Sequence, residues 1–292
     1  MLTFDLRSFR FHLSARNVIH FPEAAAGNVL RGALGAGLKS IHCSGDCPGW
    51  SGRAARECGR GHPCRYAQIF EPVSSGAGPS GLADWPRPFV IRAAHLNGRT
   101  IGTGETFWFD INFFQTRDAY WNDFAGAFSQ FAALMSVEQL DSDGRSASQP
   151  ISIRLDPPGP AAKRLRVEFR TPTELKGSPR QQPEFGALFA RAQDRVSTLR
   201  QIYGAGPLEV DFRAMRARAA EVRMTHFDLQ QVTAWRRSSC NRQVHSIGGF
   251  VGVAEYEGAL GEFLPYLEAA RWTGVGRQCA WGKGELKVEL VS

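Results

Sequence analysis

With 43% hydrophobic residues over 292 positions, the chain has the apolar material for folded cores and the length for two domains of roughly 140 residues each. No apolar run approaches the ~20 residues that a membrane span needs, and the alternating start Met1–Arg7 lacks the apolar region of a signal peptide, so a cytosolic protein with no membrane partner is expected. The net charge of +7 suits an anionic partner, and its bias toward arginine over lysine suits phosphate and base contacts, although a GC-rich coding sequence gives the same bias.

Thr3 to Leu13 alternates apolar and polar residues and reads as a strand. Pro22 to Ser40 places Ala24, Val29, Leu30, Leu34 and Leu38 at helical spacings. A cysteine-rich stretch follows, then a Gly/Pro/Ser linker from Ser74 to Pro88. Phe89–Ala93 and Thr106–Phe114 read as strands. Ala119–Leu134 reads as a helix with an aromatic core stripe of Trp121, Phe124, Phe128 and Phe131. Met135–Gln149 is polar and reads as a loop, and Ile151–Leu155 as a short strand. Asp156-Pro157-Pro158-Gly159-Pro160 punctuates the chain as a domain junction. Beyond it, Arg164–Arg170 is a strand, Phe185–Tyr203 a helix, Val222–Trp235 and Gly249–Tyr256 strands, Ala259–Ala270 a helix and Glu285–Leu290 the last strand. Each half reads β-α-β-β-α-β, the ferredoxin-like order. The expectation is an α+β chain of two tandem ferredoxin-like domains, 1–155 and 161–292, with a cysteine-rich insertion at 43–64 in the first.

That insertion holds Cys43, Cys47, Cys58 and Cys64, with His62 nearby. In a reducing cytosol such a cluster favours metal over disulfides. Four thiolates, or three with His62, would make a closed tetrahedral zinc set of structural type. The irregular spacing leaves metal-free thiols as the other reading. Cys240 and Cys279 read as small core or loop residues.

Between the last helix and the last strand, Gly274, Gly276, Gly282 and Gly284 form two G-x-G pairs, with Arg277 and Lys283 among them. Glycine permits φ > 0 and close backbone approach, and successive N–H groups in such a loop make an anion-binding concavity. The helix–loop–strand order is opposite to that of a nucleotide-binding loop. An ordinary glycine-rich turn remains the alternative. Upstream, Trp235-Arg236-Arg237-Ser238-Ser239-Cys240-Asn241-Arg242-Gln243 mixes an aromatic with three arginines at a strand end. Phosphate contacts and base stacking use such residues; an exposed basic hairpin is the alternative.

The helix, the h-x-G-x-G-x₅-G-x-G loop and the closing strand resemble the signature of the RAMP superfamily of CRISPR-associated proteins. Within that superfamily, the chain is most similar to the endoribonucleases that process precursor CRISPR RNA. The resemblance extends to Leu30-Arg31-Gly32-Ala33-Leu34-Gly35, Cys64–Pro72, Arg87–Ile91, Phe169–Lys176, Arg195–Leu199, Arg237–Gln243 and Gly248–Gly252. It implies cleavage within CRISPR repeats by 2′-hydroxyl attack, without a catalytic cofactor, leaving a 2′,3′-cyclic phosphate. Repeat RNA or mature crRNA, and other CRISPR effector subunits, are the implied partners. It also implies a catalytic residue on or beside the first helix. His42 at that helix's end, His20 before it and Arg31 within it are the candidates, with His245 as an alternative in the second half. Histidine suits acid–base work near neutral pH and arginine suits charge stabilisation. RNA contact falls to Arg236, Arg237, Arg242, Gly274, Gly276, Arg277, Gly282, Lys283 and Gly284. Two rivals are a non-catalytic crRNA-binding RAMP subunit and a ferredoxin-like small-molecule enzyme that holds a phosphate metabolite in the glycine loop.

Overall fold

The strand β1 (Thr3–Ser14) changes the face it buries partway along. Phe4 and Leu6 are buried in one phase, and Phe9, Phe11 and Leu13 in the opposite one. Successive side chains on a strand point to opposite faces, so the two ends of β1 serve different cores. The computed structural model describes residues 2–43, 64–72, 85–117, 120–156, 162–176, 182–237 and 244–291.

The first half continues with β2 (Ile19–His20), α1 (Ala26–His42), α2 (Arg65–Phe70), β3 (Phe89–Arg92), β4 (Thr100–Ile101), β5 (Thr106–Phe113), α3 (Tyr120–Phe131), β6 (Ala133–Leu140) and β7 (Ile151–Arg154). In α1, Ala26, Leu30, Leu34 and Leu38 recur every four residues and are buried. The first-turn amide of Ala26 is satisfied from outside the helix, by Asn97 Oδ1 at 3.0 Å. α3 packs Phe124 and Phe128 against the sheet, edge-on to Phe113 at 4.7 Å and Phe109 at 4.8 Å. Such aromatic pairs add ~0.5–1.5 kcal/mol each beyond simple burial. Trp121 departs from the expected core stripe. It lies in the helix's first turn, 38% exposed, and stacks on Phe9 at 6.1 Å.

The first sheet runs β3-β5-β1-β6, with β7 also on β1. β6 pairs with Ser8–Ser14 and β7 with Thr3–Leu6, so two strands in tandem fill one edge of β1. This corrects the reading of Met135–Gln149 as a loop. β6 is the fourth strand of the unit, and Ile151–Arg154 is an addition to it. A half-exposed edge strand carries polar residues on both faces, which erases the alternation.

The second half comprises β8 (Arg164–Thr173), α4 (Phe185–Tyr203), α5 (Phe212–Ala219), β9 (Arg223–Val232), β10 (Trp235–Arg237), β11 (Val244–Ser246), β12 (Gly249–Glu257), α6 (Leu264–Thr273) and β13 (Leu286–Val291). Its sheet runs β13-β8-β12-β9. Numbered within each unit, both sheets have the order 4-1-3-2, so the chain is an α+β protein of two tandem ferredoxin-like units. α5 joins the expected elements, capped by Asp211 Oδ1 accepting from Ala214 N at 2.9 Å. The expected strand Val222–Trp235 divides into β9 and the hairpin strand β10. The last helix begins at Leu264 and reaches Thr273.

One core crosses from half to half. Phe4, Leu6, Val90, Phe114, Ile151 and Ile153 pack with Phe169, Phe185, Phe189 and Tyr266, each buried side chain worth about 1.5–3 kcal/mol. Arg200 Nε adds a bond to Thr3 O at 2.7 Å. No helix among the described residues is long and apolar enough to cross a membrane.

Candidate functional site

α6 delivers the glycine loop, and its end is anchored by groups from elsewhere. Arg92 Nη2 donates to Arg271 O at 3.1 Å and Trp272 O at 3.0 Å, Asn112 Nδ2 to Trp272 O at 2.9 Å, and Arg195 Nε to Thr273 O at 2.7 Å. These donors satisfy carbonyls that a helix end leaves open, and cations suit that end of the helix dipole. Burial pushes the Arg92 guanidinium below its usual range, while Glu285 opposes the shift.

Backbone contacts then fix the loop. Arg277 N donates to Glu174 O and Gly284 N to Pro172 O, both at 3.2 Å, which ties the loop to the end of β8. Gly276 has φ 80, and any side chain there would run into the Glu174 carbonyl. Gly282, at φ 83, meets Gly27 in the first turn of α1; a Cβ on Gly27 would stand 2.8 Å from Gly282 Cα and from Trp281 O. The glycines therefore let the loop approach β8 and α1. Lys283 takes part in the same packing. Its side chain is 2% exposed, and Nζ donates to Gly248 O at 2.7 Å and Gln278 Oε1 at 2.9 Å, with Glu174 Oε2 3.8 Å away. Burial lowers its pKa. Expected as a phosphate contact, Lys283 instead points inward and holds the loop to the start of β12. Arg277 is exposed and pairs with Glu174 Oε1 at 3.0 Å.

Where the loop meets α1, cations and rings alternate. The guanidinium of Arg87 lies 5.6 Å and that of Arg31 4.4 Å from the Phe70 ring centre. Arg31 also lies 5.1 Å, and Arg236 4.7 Å, from the Trp281 ring centre. The order is Arg87, Phe70, Arg31, Trp281, Arg236, spanning the segment before β3, α2, α1, the glycine loop and β10. Each cation over a ring face is favourable by ~0.5–2 kcal/mol. Arg31 is 5% exposed, and its Nε has no hydrogen-bond partner among the described residues. Burial first, then the charges of Arg87 and Arg236, push its pKa down to about 8; Tyr66 and Glu71 offset this only in part. A guanidinium keeps its proton in proteins, so burial beside Arg87 and Arg236 sets like charges against one another here. Among the described residues, the two non-glycine residues with positive φ, Ala24 (φ 57) and Gln278 (φ 61), both lie beside this junction. Ala24 and Trp281 pack on a small core of Ala25, Ala234 and Ile247.

His42 lies three turns after Arg31 on the same face of α1, about 16 Å along the axis at 1.5 Å per residue. Its Nε2 is 2.9 Å from Asp123 Oδ1 on α3, and Arg65 holds Asp123 Oδ2 at 2.8 Å. Lys39, between them on α1, sits 5.2 Å from the Tyr66 ring centre. His20 is exposed on β2, with Nδ1 3.0 Å from Thr100 Oγ1. His245 pairs with Arg236 across the β10–β11 hairpin, and Arg237 with Val244. Arg242 lies outside the described residues, as do Cys47, Cys58 and His62. Cys43 follows α1, and Cys64 caps α2, its Sγ accepting from Ala67 N at 3.5 Å. The structure thus brings Arg31, Arg236 and Gly282 together and sets His42 apart from them. Sequence reasoning missed Phe70, Arg87 and Trp281 as site residues, although all three stand in stretches that carried the resemblance.

Residues 167–286 match the family model of the CRISPR-associated endoribonuclease Cas6, and residues 4–142 match a model described as an N-terminal domain. No curated protein matches the sequence. Among solved structures, Thermus thermophilus Cas6 is similar at 13% identity, with 99% of this chain and 100% of that chain covered and a TM-score of 0.53. A Cas6 product complex aligns at 17% identity over 99% of this chain and 100% of the other, with a TM-score of 0.51. A chain of a partial Cas6-RT-Cas1–Cas2 complex aligns at 13% identity and a TM-score of 0.57; 98% of this chain is covered and spans 46% of that one. At such identities these likenesses establish the shared fold.

Proposed function

We propose, for a chain that belongs to the CRISPR-associated endoribonucleases of RAMP fold, that it cleaves precursor CRISPR RNA within its repeats. The observation that carries the reading is the buried Arg31 guanidinium, set between two rings and two further arginines without a partner at Nε. A single RNA phosphate is the anion such a cluster calls for, and charge-assisted bonds to it are the strong kind. Arg31 and Arg236 would neutralise a phosphate of the bound RNA backbone and so anchor the strand beside α1.

The nucleophile would be the 2′-hydroxyl beside the scissile phosphate, giving a 2′,3′-cyclic phosphate without a catalytic metal. His42 is our candidate for moving the proton. Asp123 Oδ1 lies 2.9 Å from Nε2 in a poorly aligned contact, so it would attract the charged ring and leave Nδ1 for the reacting group. An RNA lying along α1 would then meet Arg31 and His42 through different phosphates. Arg236, Arg237, Arg242 and Arg277 would supply further backbone contacts, with repeat RNA and other CRISPR proteins as partners. A zinc ion held by Cys43, Cys47, Cys58 and Cys64 would brace the end of α1 against α2. Thiolates are the donors zinc prefers, and Cys64 already accepts an amide hydrogen bond that suits a thiolate. About one zinc per chain, lost on Cys43→Ser with Cys64→Ser, is expected by elemental analysis.

The test is incubation of the purified chain with repeat RNA in EDTA. One cut per repeat, with a 2′,3′-cyclic phosphate on the upstream product, is expected. Tight retention of uncut RNA would replace the enzyme with a crRNA-binding subunit.

A further inference from the structure

We infer that the cleft beside β10 is a recognition pocket for one unpaired guanine base of the RNA. The inference rests on the RNA-processing reading above and adds to it a base preference. The cleft, about 280 Å³, lies between the end of β8, the start of β12 and the β10–β11 hairpin. That is just below the roughly 300 Å³ at which ligand clefts begin, a size for a base without its phosphate.

Trp235 forms one wall and is 65% exposed. It precedes Arg236, so the two side chains leave the strand on opposite faces. Arg236 joins the ring-and-cation stack on Trp281, and Trp235 lines the cleft. An exposed indole beside cations is the platform on which single-stranded bases stack.

Glu174 forms another wall. Its Oε1 accepts from Arg277, and its Oε2 is 3.8 Å from Lys283 Nζ. A carboxylate turns a phosphate away from this one spot, and the lone pairs that Arg277 leaves free seek neutral donors. Guanine presents two adjacent N–H donors, N1–H and the 2-amino group, which match the two oxygens of a carboxylate. Adenine and cytosine each set an acceptor nitrogen beside one amino group, and uracil flanks one N–H with two carbonyls. Both of those patterns oppose an acceptor-only partner. Gln231 and Ser246, also in the lining, bring polar groups toward the remaining edge.

Competition binding with single-stranded uridine heptamers carrying G, A, C, U or inosine at the central position tests this. The wild-type chain should bind the G heptamer about tenfold or more tightly than the A, C and U heptamers, the discrimination of a bidentate base contact. Inosine, which keeps N1–H and lacks the 2-amino group, should fall between. Glu174→Gln keeps the bonds of Lys283 to Gly248 and Gln278 and should erase the G preference, the ratio of G-heptamer to all-uridine-heptamer affinity falling to about one. Glu174→Asp, which keeps the charge on a shorter arm, should retain part of the preference. Trp235→Ala should weaken all five heptamers. Equal binding of the five by the wild type, or a G preference that survives Glu174→Gln, would overturn the pocket and leave the RNA-processing reading standing. Failure of every heptamer and of intact repeat RNA to bind at low salt would overturn both.

Discussion

The two ferredoxin-like units leave their second helices differently. α3 ends at Phe131 and β6 begins at Ala133, whereas α6 ends at Thr273 and β13 begins only at Leu286. The topologies are the same, yet only the second return is long enough to reach across and touch the first turn of α1. The units therefore divide the work. The C-terminal one reaches out with the glycine loop and the β10–β11 hairpin. The N-terminal one offers the face of α1 that carries Arg31 and His42. The short return from α3 to β6 has no room for a second such loop.

The division predicts unequal effects from the two units. His42→Ala, on the N-terminal side, should slow single-turnover cleavage by roughly 10²–10⁴-fold, the usual cost of losing an acid–base group. Affinity for repeat RNA should stay within a factor of two of wild type by filter binding. On the C-terminal side, Gly282→Val forces a side chain into the left-handed region against Gly27. It should cost about 2–5 kcal/mol of stability in denaturant unfolding, from backbone strain and overpacking together. Arg31→Gln and Arg236→Gln should each weaken repeat binding by about tenfold and reduce the slope of log affinity against log salt by about one, as the loss of one phosphate contact does. The smallest effect belongs to one of the N-terminal unit's positive-φ glycines. Gly144 has φ 79 in the turn after β6 and open space around it, so Gly144→Ala should cost about 1–2 kcal/mol, the strain of the left-handed region alone, and leave RNA binding untouched.

Much of this architecture is legible in the residues. The strand alternation of Thr3–Leu13, the α4 limits at Phe185 and Tyr203, and the repeated β-α-β-β-α-β order are written in hydrophobic spacing. β6 is not, because an edge strand with Met135 and Ser136 exposed has no apolar face to repeat. Nor is α5, whose Arg-Ala-Met-Arg-Ala-Arg-Ala run buries only its last residue, Ala219. The glycine loop shows a deeper ambiguity. Positive φ and bare backbone serve an anion cradle and close chain packing equally well, so spacing alone leaves both open; the packing partners Gly27 and Glu174 lie about 250 and 100 residues away in sequence. Lys283 was readable as a cation but not as a buried one. The Arg31 cluster was readable only in fragments, since Phe70, Arg87, Arg236 and Trp281 come from four separate segments.

The most direct measurement is a paired determination of single-turnover rate and repeat-RNA affinity for the wild type, His42→Ala and Arg236→Gln. The account predicts that His42→Ala lowers the rate at unchanged affinity, and that Arg236→Gln lowers the affinity with a far smaller loss of rate at saturating protein. A His42→Ala chain that cuts at the wild-type rate, or an Arg236→Gln chain that binds as tightly as the wild type, would contradict the division of labour between the two units.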